Sequence, residues 1–185
     1  MKRIFLLRIV AGMLCVLTLF GFSGCKKQQN ITSGGSVDET DYNAPKVIES
    51  KEITSFYSYF YIDGLWAQGV GGRQYDFQIT KNDAGVLTAS ELTTNISVPA
   101  DEALFAQLQE IIDRHALVEK NGVCRYSIGV APECQKCGLT ADYASGEKLI
   151  FTIPNDIYAE WEKDLYLTLA HWFADNGEPS LLPTE

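Results

Sequence analysis

The chain has 185 residues, with 24 Asp and Glu against 15 Lys and Arg, and a formal net charge of −9 at pH 7. An acidic surface repels phosphate backbones, so this balance argues against a nucleic-acid partner. The length suits one compact domain together with a leader and a tether. The sequence contains no internal repeat of the kind that an array of smaller units would show.

The first 24 residues predict a signal peptide. Three basic side chains fall within the first eight positions, and an apolar run from 9 to about 22 follows them. That run is long enough for the apolar region of a signal peptide and short for a membrane-spanning helix, which needs about 20 apolar residues. An uncleaved membrane anchor is the alternative interpretation.

The predicted signal ends in Phe22-Ser23-Gly24-Cys25, which resembles the lipobox of bacterial lipoproteins. The resemblance implies that the thiol of Cys25 is acylated and that Cys25 becomes the mature N-terminus. Each buried methylene of such acyl chains adds about 0.8 kcal/mol to membrane binding. We therefore expect this lipid to attach the protein to the cell membrane or outer membrane, with the rest of the chain outside the cytoplasm.

Residues 26–46 predict a flexible tether, because they are polar and show no apolar periodicity. A segment of this composition cannot bury enough apolar surface to fold by itself. We expect residues 47–185 to form a single globular domain.

Six segments of this domain predict β-strands, because they are rich in β-branched and aromatic residues and most of them alternate apolar with polar side chains. They are 47–62, 73–80, 86–94, 123–130, 139–143 and 147–153. In the first strand Tyr57, Tyr59 and Tyr61 fall on one face, whereas Phe56 and Phe60 fall on the other.

Two segments place apolar residues at helical spacing. The first begins at a cap, Asp101 or Ser97, and the second begins at Asn155 and places Tyr158 on its buried face. Because the strands cluster rather than alternate with helices, we expect an α+β fold: an antiparallel sheet of about six strands with two amphipathic helices packed on one face.

The C-terminal part of the chain is similar to the closing portion of a broad set of bacterial lipoproteins and secreted proteins of unknown function. The matching residues are Tyr143 and Gly146 in a turn between two strands, Pro154 after the second strand, and an amphipathic helix from Asn155. The resemblance supports the predicted fold and implies no activity.

The tyrosines of the first strand, with Trp66 shortly after it, are candidates for a ligand-binding aromatic face. Aromatic side chains offer a large contact area at low entropy cost, so Tyr57, Tyr59 and Tyr61 are suited to bind a glycan or a peptide. The alternative is that the helices cover this face and that the phenylalanine face meets solvent or another layer.

The stretch Glu-Cys-Gln-Lys-Cys-Gly at 133–138 contains Cys134 and Cys137, and Cys124 lies shortly before it. One interpretation is structural: a disulfide from Cys124 to Cys134 or Cys137 that closes a loop, or three plain thiols. A second is a zinc site, because a Cys-x-x-Cys turn supplies two ligands at tetrahedral spacing. A third is thiol redox chemistry, although a strand rather than a helix is predicted to follow the motif.

No complete catalytic signature is present, since the sequence contains neither a Gly-x-Ser-x-Gly, nor a His-Glu-x-x-His, nor a phosphate-binding glycine loop. We therefore predict a non-enzymatic, lipid-anchored extracytoplasmic protein with a binding or envelope-structural role, a glycan or protein partner and no cofactor. The alternative is a metal-binding or thiol-redox protein that uses Cys124, Cys134 and Cys137, with zinc as the metal.

Overall fold

The computed structural model describes residues 35–63, 72–82 and 84–183. They form a six-stranded antiparallel sheet, a two-stranded sheet and two α-helices, which confirms the predicted α+β class. In chain order the strands are β1 (Gly35–Asp38), β2 (Ile53–Ile62), β3 (Arg73–Lys81), β4 (Leu87–Glu91), β5 (Ile96–Pro99), β6 (Arg125–Ile128), β7 (Lys136–Tyr143) and β8 (Lys148–Pro154). The helices are α1 (Glu102–Arg114) and α2 (Glu160–Asp175).

The large sheet has the strand order β5-β4-β3-β2-β7-β8, so β2 lies between β3 and β7 near its centre. Both helices pack on one face of this sheet, as predicted. Rings of the sheet meet rings of α2 there: Phe60 and Phe151 lie 6.3 and 5.6 Å from Trp161, and Phe77 lies 6.1 Å from Phe173, between centroids. Burial of each such side chain contributes roughly 1.5–3 kcal/mol.

The two helices begin differently. The Asp101 carboxylate caps α1 by accepting a hydrogen bond from the backbone N–H of Ala103, whereas Ser97 lies in β5. The prediction that the second helix begins at Asn155 is wrong, because α2 begins only at Glu160. The five residues before it form a turn, and Tyr158 in that turn is 80% exposed rather than buried.

The number of strands in the large sheet agrees with the prediction, but their membership does not. The predicted strand at 123–130 is reduced to β6, which pairs with β1 outside the large sheet. Its place is taken by β5, which pairs with β4. β5 reads Ile-Ser-Val-Pro, which is at the lower limit of length for an alternating pattern and ends in a proline, a residue that argues against a central strand.

The predicted tether at 26–46 is wrong for residues 35–46, because β1 pairs with β6 and Val37 is buried. The chain after β1 is also attached to the domain: the Asn121 amide donates to the Pro45 carbonyl oxygen at 2.9 Å, and Lys46 donates to the Asn121 carbonyl oxygen. The predicted signal peptide and Cys25 lie outside the described residues. Among the residues that are described, no helix is long and apolar enough to cross a membrane.

Candidate binding surface of the sheet

The three tyrosines of β2, which are predicted to share one face, all lie on the face of the sheet opposite the helices. Tyr57, Tyr59 and Tyr61 are half-buried, whereas Phe56 and Phe60 are fully buried on the helix-covered face. The phenylalanine face is therefore core, as the alternation of β2 predicts. We call the surface formed by Tyr57, Tyr59, Tyr61 and their cross-strand neighbours the tyrosine face. Trp66 lies outside the described residues.

Polar side chains surround the rings on the tyrosine face, because cross-strand partners in a sheet point to the same side. The cross-strand partners of the three tyrosines are Gln74, Asp76 and Gln78 on β3, and Gly138 and Thr140 on β7. Thr152 on β8 lies opposite Gly138 on the same face. The centroids of Tyr57 and Tyr59 are 5.7 Å apart. Burial, and secondarily the charge of Asp76, raises the pKa of Tyr57, so its hydroxyl group stays protonated at neutral pH.

Tyr59 lies across the backbone of β7 at Gly138. Its hydroxyl group makes a hydrogen bond of 3.0 Å with the Thr152 hydroxyl group on β8. A Cβ atom at Gly138 would lie 2.8 Å from the Tyr59 hydroxyl oxygen and 2.6 Å from the Phe151 carbonyl oxygen. Only glycine therefore leaves room for this position of the ring.

Lys136 connects the tyrosine face with a cleft. Its Nζ atom lies 5.8 Å from the ring centroid of Tyr59 and 5.4 Å from that of Tyr126 on β6, which is within the range of cation–π attraction. The cleft beside it has a volume of about 340 Å³ and is lined by Tyr126, Ser127, Ile128, Gly129, Gln135 and Lys136. Its walls come from the end of β6 and the start of β7.

Asn155 fixes the stretch at 133–138, although its sequence context predicts only the start of a helix. Its side-chain oxygen accepts from the Tyr61 N–H at 2.7 Å, and its amide nitrogen donates to the carbonyl oxygens of Tyr61 and Glu133 at 3.1 and 3.3 Å. Its own N–H donates to the Gln135 carbonyl oxygen at 2.6 Å. A buried amide, rather than a covalent bond, thus ties this loop to β2.

The three cysteines are free thiols in the structure, and no disulfide joins them. Cys137 belongs to β7, which begins three residues before the strand predicted at 139–143; it points into the core and donates to the Pro154 carbonyl oxygen at 3.6 Å. Burial strongly raises the pKa of the Cys137 thiol. Burial, and secondarily the negative charge of Glu39, raises the pKa of the Cys124 thiol. Reactive thiols have lowered pKa values, so these two environments disfavour thiolate chemistry. Cys134 is exposed.

Glu162 is a buried carboxyl group that sequence reasoning missed. It lies in the first turn of α2 beside the Cys137 thiol, and it is 2% exposed. Burial raises its pKa to about 8, an effect that the Cys137 thiol and the backbone of Asp156 partly offset. Neither carboxyl oxygen has a hydrogen-bond partner of regular geometry among the described residues. Burial thus favours the neutral, protonated form of this acid at pH 7.

A second cleft, of about 360 Å³, lies between α1 and α2 and contains His171 and Arg114. The Arg114 guanidinium is already paired with Asp164 at 2.9 Å, and His115 contacts the same carboxylate at 2.9 Å. These contacts, that with His115 foremost, hold the pKa of Asp164 below its usual range. The guanidinium group of this cleft is thus neutralised within the protein, and the ion pair of Arg114 with Asp164 joins the two helices across it.

Comparisons with protein-family models, with curated proteins and with solved structures find no match to this chain. The tyrosine face combines aromatic rings with amide and hydroxyl groups, the carboxylate of Asp76 and the ammonium group of Lys136. Within the described ranges, no group of three or more His, Cys, Asp or Glu is placed to hold a metal ion.

Proposed function

We propose that the chain is a lipid-anchored extracytoplasmic domain that binds a saccharide through the tyrosine face. The observation that carries this proposal is the position of Tyr59, whose ring crosses Gly138 between the Asp76 carboxylate on β3 and the Thr152 hydroxyl group on β8. The apolar face of a sugar ring stacks on an aromatic ring, while its hydroxyl groups exchange hydrogen bonds with amides and hydroxyls.

The location of the tyrosines favours a saccharide over an extended peptide. Peptides that bind sheets commonly add a strand at an edge, where backbone N–H and C=O groups are unpaired. The tyrosines belong to β2, whose backbone is paired on both sides by β3 and β7. Such a surface recognises ligands through side chains alone, as a sugar-binding face does.

The membrane anchor is supported by the lipobox resemblance at Cys25. We expect metabolic labelling with a palmitate analogue to mark the full chain and to be lost in Cys25→Ser. Cys15→Ser, which changes a thiol inside the predicted signal peptide, is the matched control. Label that persists in Cys25→Ser would contradict the anchor.

The binding function is tested with the full chain, purified in detergent, on an array of neutral and anionic glycans. We expect Tyr59→Ala to weaken the strongest interaction by at least about tenfold, which corresponds to 1.4 kcal/mol. Tyr158→Ala removes an exposed tyrosine outside the face and should leave binding unchanged. Equal binding by the two variants would show that the tyrosine face is not the site.

A further inference from the structure

The ammonium group of Lys136 lacks an acidic partner in the part of the chain that the structure describes. No carboxylate of a described residue lies within ion-pair distance of it, and the rings of Tyr59 and Tyr126 lie beside it. Six other basic side chains do have carboxylate partners: Lys51, Arg73, Lys81, Arg114, Arg125 and Lys148. Lys46 and Lys120 also have no carboxylate at ion-pair distance among the described residues, but Lys136 is the basic residue for which two aromatic rings lie within cation–π range.

The surroundings of Lys136 are held in place from two sides. The backbone N–H of Asn155 donates to the Gln135 carbonyl oxygen next to Lys136. On the opposite wall β6 is paired with β1, and the Arg125 guanidinium binds the Asp38 carboxylate at 2.8 Å. The cleft of about 340 Å³ between these walls is within the usual size range of small-ligand sites.

We propose that the saccharide bound on the tyrosine face is anionic, and that Lys136 binds its acidic group while Tyr59 and Tyr126 contact the adjoining sugar ring. This inference rests on the proposed function and adds the charge of the ligand to it. A lysine ammonium is a compact point charge with three donors, so it accommodates a uronate carboxylate, a sulfate or a phosphate. Carboxylates elsewhere on the protein, and that of Asp76 on the tyrosine face itself, repel such groups, which leaves Lys136 as the favoured position on this face.

The test compares Lys136→Met with Lys148→Met in the full chain. Both variants remove one positive charge from the same face of the sheet, but Lys148 is paired with Asp142 at 3.0 Å. The probes are glycans in matched pairs: a uronic-acid oligosaccharide and its carboxyl-reduced neutral form, and a sulfated or phosphorylated oligosaccharide and its unmodified form.

We expect the parent protein to bind an anionic member at least about tenfold more tightly than its neutral counterpart. Lys136→Met should lose most of this preference, whereas Lys148→Met should retain it. Raising the salt concentration should weaken anionic binding in the parent protein and much less in Lys136→Met.

Different results of this test would overturn the anionic ligand alone or the saccharide function together with it. Glycan binding without preference for the anionic members, or the same loss in both lysine variants, would overturn the anionic ligand and leave the saccharide function standing. Binding of no glycan at all would overturn both. Lys136-dependent binding of a polyglutamate peptide or of anionic vesicles in place of glycans would identify a different partner and also overturn both.

Discussion

Gly138 and Tyr59 depend on each other, because the ring occupies the space that a side chain at 138 would fill. Alanine is normally tolerated at least as well as glycine within a strand. Here the added Cβ would lie 2.6 Å from the Phe151 carbonyl oxygen and 2.8 Å from the Tyr59 hydroxyl oxygen. Replacing glycine by alanine at position 138 should therefore destabilise the folded protein, whereas the same replacement within a strand normally does not.

We expect Gly138→Ala to lower the free energy of unfolding by about 1–3 kcal/mol, measured by urea denaturation. It should also weaken saccharide binding, because Tyr59 has to leave its contact with Thr152. Thr140→Ala, two residues further along the same face of β7, is the control. A Gly138→Ala protein as stable as the parent would contradict the described position of the ring.

Glu162 couples stability to pH through its burial. An unfolded glutamate loses its proton near its ordinary pKa of 4.5, whereas folded Glu162 retains it until about pH 8. Between these values the native state binds more protons than the unfolded state, so stability falls as the pH rises through this window. Each unit of difference corresponds to about 1.4 kcal/mol.

We expect Glu162→Gln to remove this slope, so that the variant becomes more stable than the parent protein as the pH approaches 8. Urea unfolding across the window measures the effect. Glu160→Gln makes the same chemical substitution at an exposed position of the same helix and should leave the slope in place. An unchanged slope in Glu162→Gln would show that the carboxyl group is solvated in the folded protein.

At the scale of elements, β1 determines whether the β1–β6 sheet can form a wall of the cleft. It lies in a segment whose composition indicates a tether, yet Val37 is 4% exposed and Asp38 binds Arg125. The pairing joins residues far apart in the chain, so no local pattern predicts it. Residues 35–46 are polar, as their composition indicates, but composition contains no information about the backbone hydrogen bonds that β6 makes with β1.

We expect Val37→Asp to lower the midpoint of thermal unfolding by several degrees, because a charge is buried without a partner. Ser36→Asp, at the exposed neighbouring position, is the control. Val37→Asp should also weaken binding by the cleft that contains Tyr126. If residues 35–38 were a tether, both variants would melt together with the parent protein.

At the scale of the whole molecule, the elements with long, regular patterns were predictable and the contacts between distant segments were not. The two-residue period of β2 assigns Phe56 and Tyr59 to opposite faces because strand geometry permits nothing else. The start of β7 at Lys136 was missed, since a Cys-x-x-Cys-Gly stretch has the composition of a loop. The contacts of Asn155 with Tyr61, and of Lys136 with two rings, follow only from the assembled sheet.

The most direct test of the saccharide proposal is an amide NMR titration of the full chain, in detergent, with the glycan that binds most tightly on the array. The account predicts that the amide signals of Tyr59, Gly138 and Thr140 shift together, and that those of α1 and α2 do not. In the same titration of Tyr59→Ala, the signals at these three positions should need at least about tenfold more glycan to shift equally far. Shifts confined to the cleft between the two helices would contradict the assignment of the tyrosine face as the binding site.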